Sequence, residues 1–375
     1  MQDTINLKFC SEPLKEAGSF RLLELPPELS ALVESSADAR LTIRGQGDEN
    51  AVLCTPDKTY SLRSVVLSNS VLVVSPSPHS KEDVVIRDQL HEILEPVPCL
   101  PRLQKLKSLL RGREYDEGHE DEEDHSDEDT SRPPKKSRLT YDDARTLLQA
   151  SDFELDKGLK ERKVLSFNGQ LRPIASSHLT AILELLLNAL VSLSLSHENA
   201  PTDDLLTALE EDHEINRDVA RQVMQWFGEV RSSRWTMDVD AIVREVGIGI
   251  LRAYKHEAIP EALFIQKWKT AVGDTFESKV DLKLLSGNFL ARTPSLSHLS
   301  SSELLYFPAS ELPEDPAARF TDLFLARSRW KAEEITPFLA DIVVDNKDRD
   351  RLLLKHARAI TDVDGVWYTA RAKLY

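Results

Sequence analysis

Cysteine is scarce and scattered: the 375 residues hold three, Cys10, Cys54 and Cys99. An odd, widely spaced set argues against a disulfide framework or a zinc site, and reads as reduced, buried thiols. Long apolar runs are missing too. The best of them, Ala181 to Leu195, is broken by Glu184, Asn188 and Ser192 before the roughly 18 to 20 apolar residues that a membrane span needs. Residues 1–10 place Asp3 and Lys8 among scattered apolar side chains and lack the unbroken core of a secretory signal. The chain is therefore expected inside the cell, with no membrane partner.

Enzymatic signatures are also lacking. The sequence contains no Gly-x4-Gly-Lys-Ser/Thr phosphate loop, no His-Glu-x-x-His, no Cys-x-x-Cys and no Gly-x-Ser-x-Gly elbow. Gly247-Ile248-Gly249 lacks the third glycine of a nucleotide loop and interrupts a helical pattern, so it reads as close helix packing. The ten histidines are dispersed, and His119 and His125 sit among carboxylates as solvated side chains. No catalytic residue, metal or cofactor is expected.

Nor is there an excess of positive charge. The net charge is −16, but Glu114 to Asp129 alone carries eleven carboxylates and no Lys or Arg, which leaves the remainder near −5. Nucleic-acid binding would have to come from local basic faces and would be salt-sensitive.

What is present divides the chain. Ser19 to Leu25, Leu41 to Gly45, Ala51 to Thr55, Lys58 to Leu67 and Val71 to Ser75 are short and rich in Val, Leu and Ile. Turn chemistry separates them at Gly45, Gly47, Pro56-Asp57 and Ser68-Asn69. With a short amphipathic helix near Leu103 to Leu110, residues 1–112 are expected to form a small β unit with a thin core, whose open strand edges are completed by strands from a partner or, in the alternative, close as a small barrel of the chain's own.

Residues 113–138 read as a disordered linker, because like charges this dense repel and bury no apolar area. Ser126, followed by three acids, suits an acidophilic kinase, and Arg132, Lys135, Lys136 and Arg138 suit a nuclear import signal.

Beyond the linker one theme recurs: two helices, then a hairpin. In 139–198, helices at Tyr141 to Ala150 and Asp152 to Arg162 precede a hairpin turning at Asn168-Gly169, the strongest short hairpin signal, and a long apolar helix from Ser176. In 199–308, helices at Thr202 to Glu211 and Ile215 to Phe227 precede a hairpin over Glu229 to Asp238. Further helices then fall at Ala241 to His256, Pro260 to Val272 and Val280 to Leu285, with strands around Asn288 to Arg292 and Leu304 to Phe307. In 309–375, helices at Ala317 to Arg327, Glu333 to Val344 and Arg349 to Ala359 precede strands flanking Val363-Asp364-Gly365. Helices followed by a twisted hairpin describe a winged helix, a module used both on DNA and in protein contacts. The expected fold class is α+β: a front β unit, then tandem winged helices.

Two basic helices are candidates for DNA contact. Arg351, Lys355 and Arg358 fall at i, i+4 and i+7 opposite Leu353, Ala357 and Ile360. Lys347 and Arg349 precede them, and Trp367, Arg371 and Lys373 follow in or after the hairpin, where phosphates and bases meet charge and stacking. Arg217 and Arg221 repeat the spacing, with Arg231 and Arg234 in the adjoining hairpin. Asp345, Asp348, Asp350, Asp362 and Asp364 oppose this reading, since they can pair with the same cations.

Two segments resemble a known family. Leu41-Thr42-Ile43-Arg44-Gly45 and Ala51 to Leu62 are similar to the N-terminal signature of the "defective in sister chromatid cohesion" family. Leu312-Pro313-Glu314-Asp315, Arg319-Phe320, Leu323-Phe324 and Arg329-Trp330 through Pro337 are similar to its C-terminal one.

The resemblance implies a nuclear, non-catalytic scaffold of an alternative replication factor C clamp loader at the replication fork. Its expected partners are the large and small chromosome-transmission-fidelity subunits. Through the complex it would meet the small replication factor C subunits and the sliding clamp PCNA. The strands bearing Leu41, Ile43, Val52, Leu53, Tyr60 and Leu62 would join a composite triple barrel, and the winged helices would contact the catalytic subunit of DNA polymerase epsilon and DNA. From the residues alone, a stand-alone winged-helix DNA-binding regulator is the alternative.

Overall fold

The computed structural model describes residues 6–9, 20–35, 40–76, 83–116, 138–292 and 302–371. Ser126, Arg132, Lys135, Lys136 and Lys373, with most of the acidic linker, lie outside the described residues. The protein is mixed helix and sheet, and divides into two compact units, Met1–Lys107 with Asp142–Gly158, and Ser108–Tyr141 with Leu159–Tyr375.

The first unit is built on one sheet. Its strands are β1 (Asn6–Phe9), β2 (Leu22–Leu23), β3 (Thr42–Arg44), β4 (Val52–Cys54), β5 (Thr59–Pro76) and β6 (Asp83–Pro98), with helix α1 (Pro27–Ser35) between β2 and β3. The order is β1-β6-β5-β4-β3, and β2 also pairs with β6. Two features depart from the sequence reading. Ser68-Asn69 does not end a strand but lies in a register break between Val66 and Val71, so β5 runs on. The stretch after Pro76, read as irregular, supplies β6, which pairs with β5 from Tyr60 with Pro98 to Pro76 with Val84, with two shifts of register. One apolar cluster gathers Leu29, Leu53 and Tyr60, with Leu23, Leu25, Leu32, Leu41 and Leu62 packed around them, and Val52, Cys54, Ile86, Leu90 and Leu106 are buried in the same unit.

Helix α2 (Gln104–Leu109) follows, and then α3 (Tyr141–Leu147) and α4 (Asp152–Glu161). The sequence reading assigns 139–162 to the first winged unit, whereas Asp142–Gly158 clusters with the front sheet. Polar bonds explain the attachment. Arg44 pairs with Asp152 at 2.5 Å, Arg145 with Asp152 at 2.7 Å, and Thr59 Oγ1 donates to Glu154 at 2.5 Å. Buried Gln149 donates to Asn50 O at 2.8 Å and accepts from Arg102 at 2.7 Å. Burial raises the Asp152 carboxyl, but the hydrogen bonds from Arg44 and Arg145 outweigh it and hold it below its usual range.

The second unit continues with β7 (Val164–Phe167), β8 (Gln170–Pro173), α5 (Ser176–Ser192), β9 (Ala200–Pro201), α6 (Thr202–His213), α7 (Arg217–Trp226), β10 (Gly228–Arg231), β11 (Arg234–Met237), α8 (Val239–Arg252), β12 (Ile259–Pro260) and α9 (Glu261–Val272). It closes with β13 (Phe289–Arg292), β14 (Glu303–Tyr306), α10 (Pro316–Ala326), β15 (Arg329–Lys331), α11 (Ala332–Ile335), α12 (Asn346–His356), β16 (Ala357–Asp362) and β17 (Gly365–Ala370). The Asn168-Gly169 hairpin forms, with both residues at positive φ as its tight turn demands. Helix–helix–hairpin order recurs in α6-α7-β10-β11 and, with β15 and α11 between the two helices, in α10-α12-β16-β17.

Helix starts follow the capping residues: Asn216 accepts from two amides of α7, Asp238 caps α8, and Asp315 with Pro316 opens α10. The long helix expected over Glu333 to Val344 is instead the short α11 and two 3-10 turns, because Pro337 cannot donate within it.

Gly247 packs α8 against α9. A Cβ there would meet the Trp268 ring at 2.5 Å, which is why the sequence tolerates a helix-weakening glycine. One apolar core joins Tyr115 and Leu165 to α5 through α9 and ends at Leu304. A second gathers Leu290, Phe320, Leu323, Phe324, Trp330, Phe338 and Leu353. Buried indoles are satisfied by backbone, with Trp235 donating to Met224 O, Trp268 to Val243 O and Trp330 to Leu323 O at 2.8 to 3.0 Å.

Candidate interaction site

Among the described residues, much of β5 has a neighbouring strand on one side only. Strand β4 pairs only with Thr59, Tyr60 and Ser61, so among the described residues 62–76 of β5 have no neighbour on that side. An edge of this length is a template for another chain. Its faces are apolar as well: Val66 is 80% exposed, and Val71, Leu72 and Val74 are also exposed. Ile43, on the edge strand β3, is 70% exposed.

Of the six residues expected in partner-contacting strands, Val52, Leu53 and Tyr60 are instead buried by this chain, Leu41 and Leu62 are half-buried, and Ile43 alone is open. Burial and the hydrogen bond to Glu28 push the Tyr60 hydroxyl well above its usual range, so it serves as a neutral donor at 2.9 Å. The open apolar residues were legible in the sequence as the Val-rich run over 65–74, once that run is taken as one strand.

The cationic candidates separate sharply. Arg217 is bound to Asp203 at 2.8 Å and Glu210 at 3.3 Å, Arg221 to Asp218 at 2.9 Å, and Arg231 to Glu229 at 2.5 Å. Arg234 donates to Asn199 O. The basic face of α7 is thus largely neutralised within the chain.

In the C-terminal region Arg351 is bound to Asp348 and Arg349 to Asp350, while Arg371 donates to Leu354 O. Arg358 is not on the helix at all. Helix α12 ends at His356, and Ala357 turns extended (φ −122°, ψ 162°) to pair with β17. The expected helical face of Arg351, Lys355 and Arg358 is therefore split between a helix and a strand. Ala357 is buried as expected, but Ile360 is exposed on the sheet.

Alternation in that sheet assembles a different surface. Arg329 and Lys331 of β15 pair with Thr369 and Trp367 of β17, which pair in turn with Arg358 and Ile360 of β16. All six share the face opposite the core residue Trp330. Arg329 lies 4.2 Å and Lys331 5.3 Å from the Trp367 ring. Arg329 and Lys331 were missed from sequence, although Arg-Trp-Lys around one core Trp signals two cations on one strand face.

Among the described residues no His, Cys, Asp or Glu cluster could hold a metal, and no helix is long and apolar enough to cross a membrane. A cavity of about 370 Å³ is lined by Lys283, Ser286, Phe289, Arg327, Trp330, Glu333, Glu334 and Phe338; the Ser286 hydroxyl donates to Lys283 O and Glu334 pairs with Arg327. Burial raises the thiols of Cys54 and Cys99, making both poor nucleophiles.

Comparison with known proteins gives the chain its relatives. A family model described as sister chromatid cohesion protein Dcc1 matches residues 20–339. Sister chromatid cohesion protein DCC1 of Homo sapiens is 27% identical, over 92% of this chain and 86% of the relative. The Xenopus laevis protein of that name is 28% identical over 94% and 89%. The Saccharomyces cerevisiae one is 24% identical over 91% and 93%.

Proposed function

The chain belongs to the Dcc1 family of sister chromatid cohesion proteins, and from that premise we propose that it is a non-catalytic scaffold subunit of an alternative replication factor C clamp loader. In this reading it acts in the nucleus at the replication fork and supports cohesion, with ATP hydrolysis in other subunits. The front sheet accepts strands from the large and small chromosome-transmission-fidelity subunits and so completes a composite barrel. The helix–hairpin units, read as winged helices, carry contacts to the catalytic subunit of DNA polymerase epsilon and to DNA. The small replication factor C subunits and PCNA are reached through the complex.

The observation that carries this reading is the unpaired, apolar edge of β5. An independent DNA-binding regulator has less support, because the arginines of α7 are engaged with carboxylates of their own chain.

The test is to replace Val66 and Val74 by Lys in the full chain and co-express it with the two partner subunits. The expected result is a chain whose circular dichroism matches wild type but which no longer co-purifies with them. Undiminished co-purification would overturn the proposal.

A further inference from the structure

The C-terminal sheet has the order β15-β17-β16, which leaves β16 at its edge. Residues 358–362 are all exposed. The ladder with β17 runs unbroken from Ala357 with Ala370 to Asp362 with Gly365, without a bulge, and the strand contains no proline. Two of the usual devices that blunt an edge are therefore missing.

The side chains along this edge are arranged so that the strand complements itself. Arg358 and Asp362 lie on one face, equally spaced about Ile360. Among the described residues Arg358 is in no side-chain hydrogen bond or ion pair. Asp362 is half-exposed and bound to Arg329 at 2.8 Å, leaving lone pairs for a second donor. Ile360 is 40% exposed, and Val363, at the turn, is fully exposed.

We propose that β16 pairs antiparallel with β16 of a second copy of this chain, about a two-fold axis passing beside Ile360. In that register each Arg358 faces the other copy's Asp362, Ala359 faces Thr361, and the two Ile360 side chains meet. The two three-stranded sheets become one continuous sheet. Such a contact is isologous and closes on itself, so it gives a dimer and not a fibre. A one-residue slip turns the side chains to opposite faces, and a two-residue displacement sets Arg358 either against Ile360 or against Asp364, which lies in the turn beyond the end of β16. A parallel pairing would set Arg358 against Arg358.

The occupant is another strand, not a polyanion, because an edge offers alternating donors and acceptors that only extended backbone satisfies. Asp362 and Asp364 at the turn also repel phosphate. The contact lies in the C-terminal sheet and is separate from the partner-accepting edge of β5. A six-residue edge buries less than the roughly 1,200 Å² of a standard interface, so the association is weak.

The test is sedimentation equilibrium of the full chain from low to high micromolar concentration, with Arg358→Asp, Asp362→Arg and the double exchange. The expected result is a mass rising toward two chains for wild type. Either single change weakens association at least about tenfold, and the double exchange restores it. Association through the front sheet would be indifferent to these charges.

Because Asp362→Arg also removes the partner of Arg329, an Ile360→Cys variant provides a second measurement that keeps every charge. Cβ atoms directly opposite in an antiparallel pair lie roughly 4.5 to 5.5 Å apart, within reach of a disulfide after small adjustment. Mild oxidation is expected to cross-link Ile360→Cys but not Leu354→Cys, an exposed site on α12. A mass independent of concentration, a double exchange that fails to rescue folded single variants, or equal cross-linking at 354 and 360 would each overturn the proposal.

Discussion

Arg319 shows how one residue can hold several segments in place. Its side chain is fully buried, yet it donates to the carbonyls of Pro313, Phe338, Ala309 and Leu312 and forms a two-pronged pair with Asp341. A planar five-donor group is needed to reach partners in such different directions, and a lysine supplies neither the plane nor the number. Truncation would take a donor from each of those carbonyls, of which Ala309 O keeps the Leu312 amide, and would leave Asp341 without its guanidinium. Arg319→Ala is expected to cost about 3 kcal/mol or more, with Arg319→Lys recovering little of it. Denaturant unfolding of the two variants checks this, and a destabilisation below about 1 kcal/mol for Arg319→Ala would contradict the role.

Sequence alone marked Arg319 only as part of a signature. Its burial depends on Asp341 and the carbonyl of Phe338, both more than fifteen residues away. Gly247 was more legible, since a glycine in an apolar helical pattern already points to close packing, here against Trp268.

At the scale of elements, local signals worked where the stabilising interactions are themselves local. Asn168-Gly169 dictated its turn, and Asn216, Asp238 and Asp315 opened their helices as side-chain caps do. Long-range pairing decided the rest. Helix α12 stops where β17 captures the chain, so helical periodicity carried Arg358 onto a face that does not exist. β6 has a poor alternating pattern and is ordered by its ladder with β5.

This division sets the expectation for DNA contact under the proposed function. Lys347 and Lys355 are exposed on α12, and among the described residues neither is in an ion pair, whereas Arg217 and Arg221 are both engaged. Replacing Lys347 and Lys355 by Ala is expected to weaken binding to random duplex. It should also flatten the logarithmic salt slope by about 0.9 for each phosphate that a lysine no longer neutralises. Arg217→Ala with Arg221→Ala is expected to change neither by comparison. A salt titration of both double variants decides it, and an unaltered slope for the lysine pair would refute the assignment.

For the molecule as a whole, the front of the chain was legible as a β unit but not in its true extent. Leu29, Leu53 and Tyr60 form one apolar cluster of that unit. What sequence could not reveal is that Asp142–Gly158 joins that unit from beyond the acidic stretch, through Arg44, Thr59 and Asn50. A fragment ending at 112 would therefore lack part of its own fold, and the front sheet has to be probed in the full chain. Hydrogen exchange of that chain, alone and with the large and small partner subunits, is the most direct measurement. Slow exchange appearing across 62–76 of β5 on complex formation, with α5 to α9 unaltered, is the predicted result. Amides across 62–76 that exchange equally fast with and without those subunits would contradict the account.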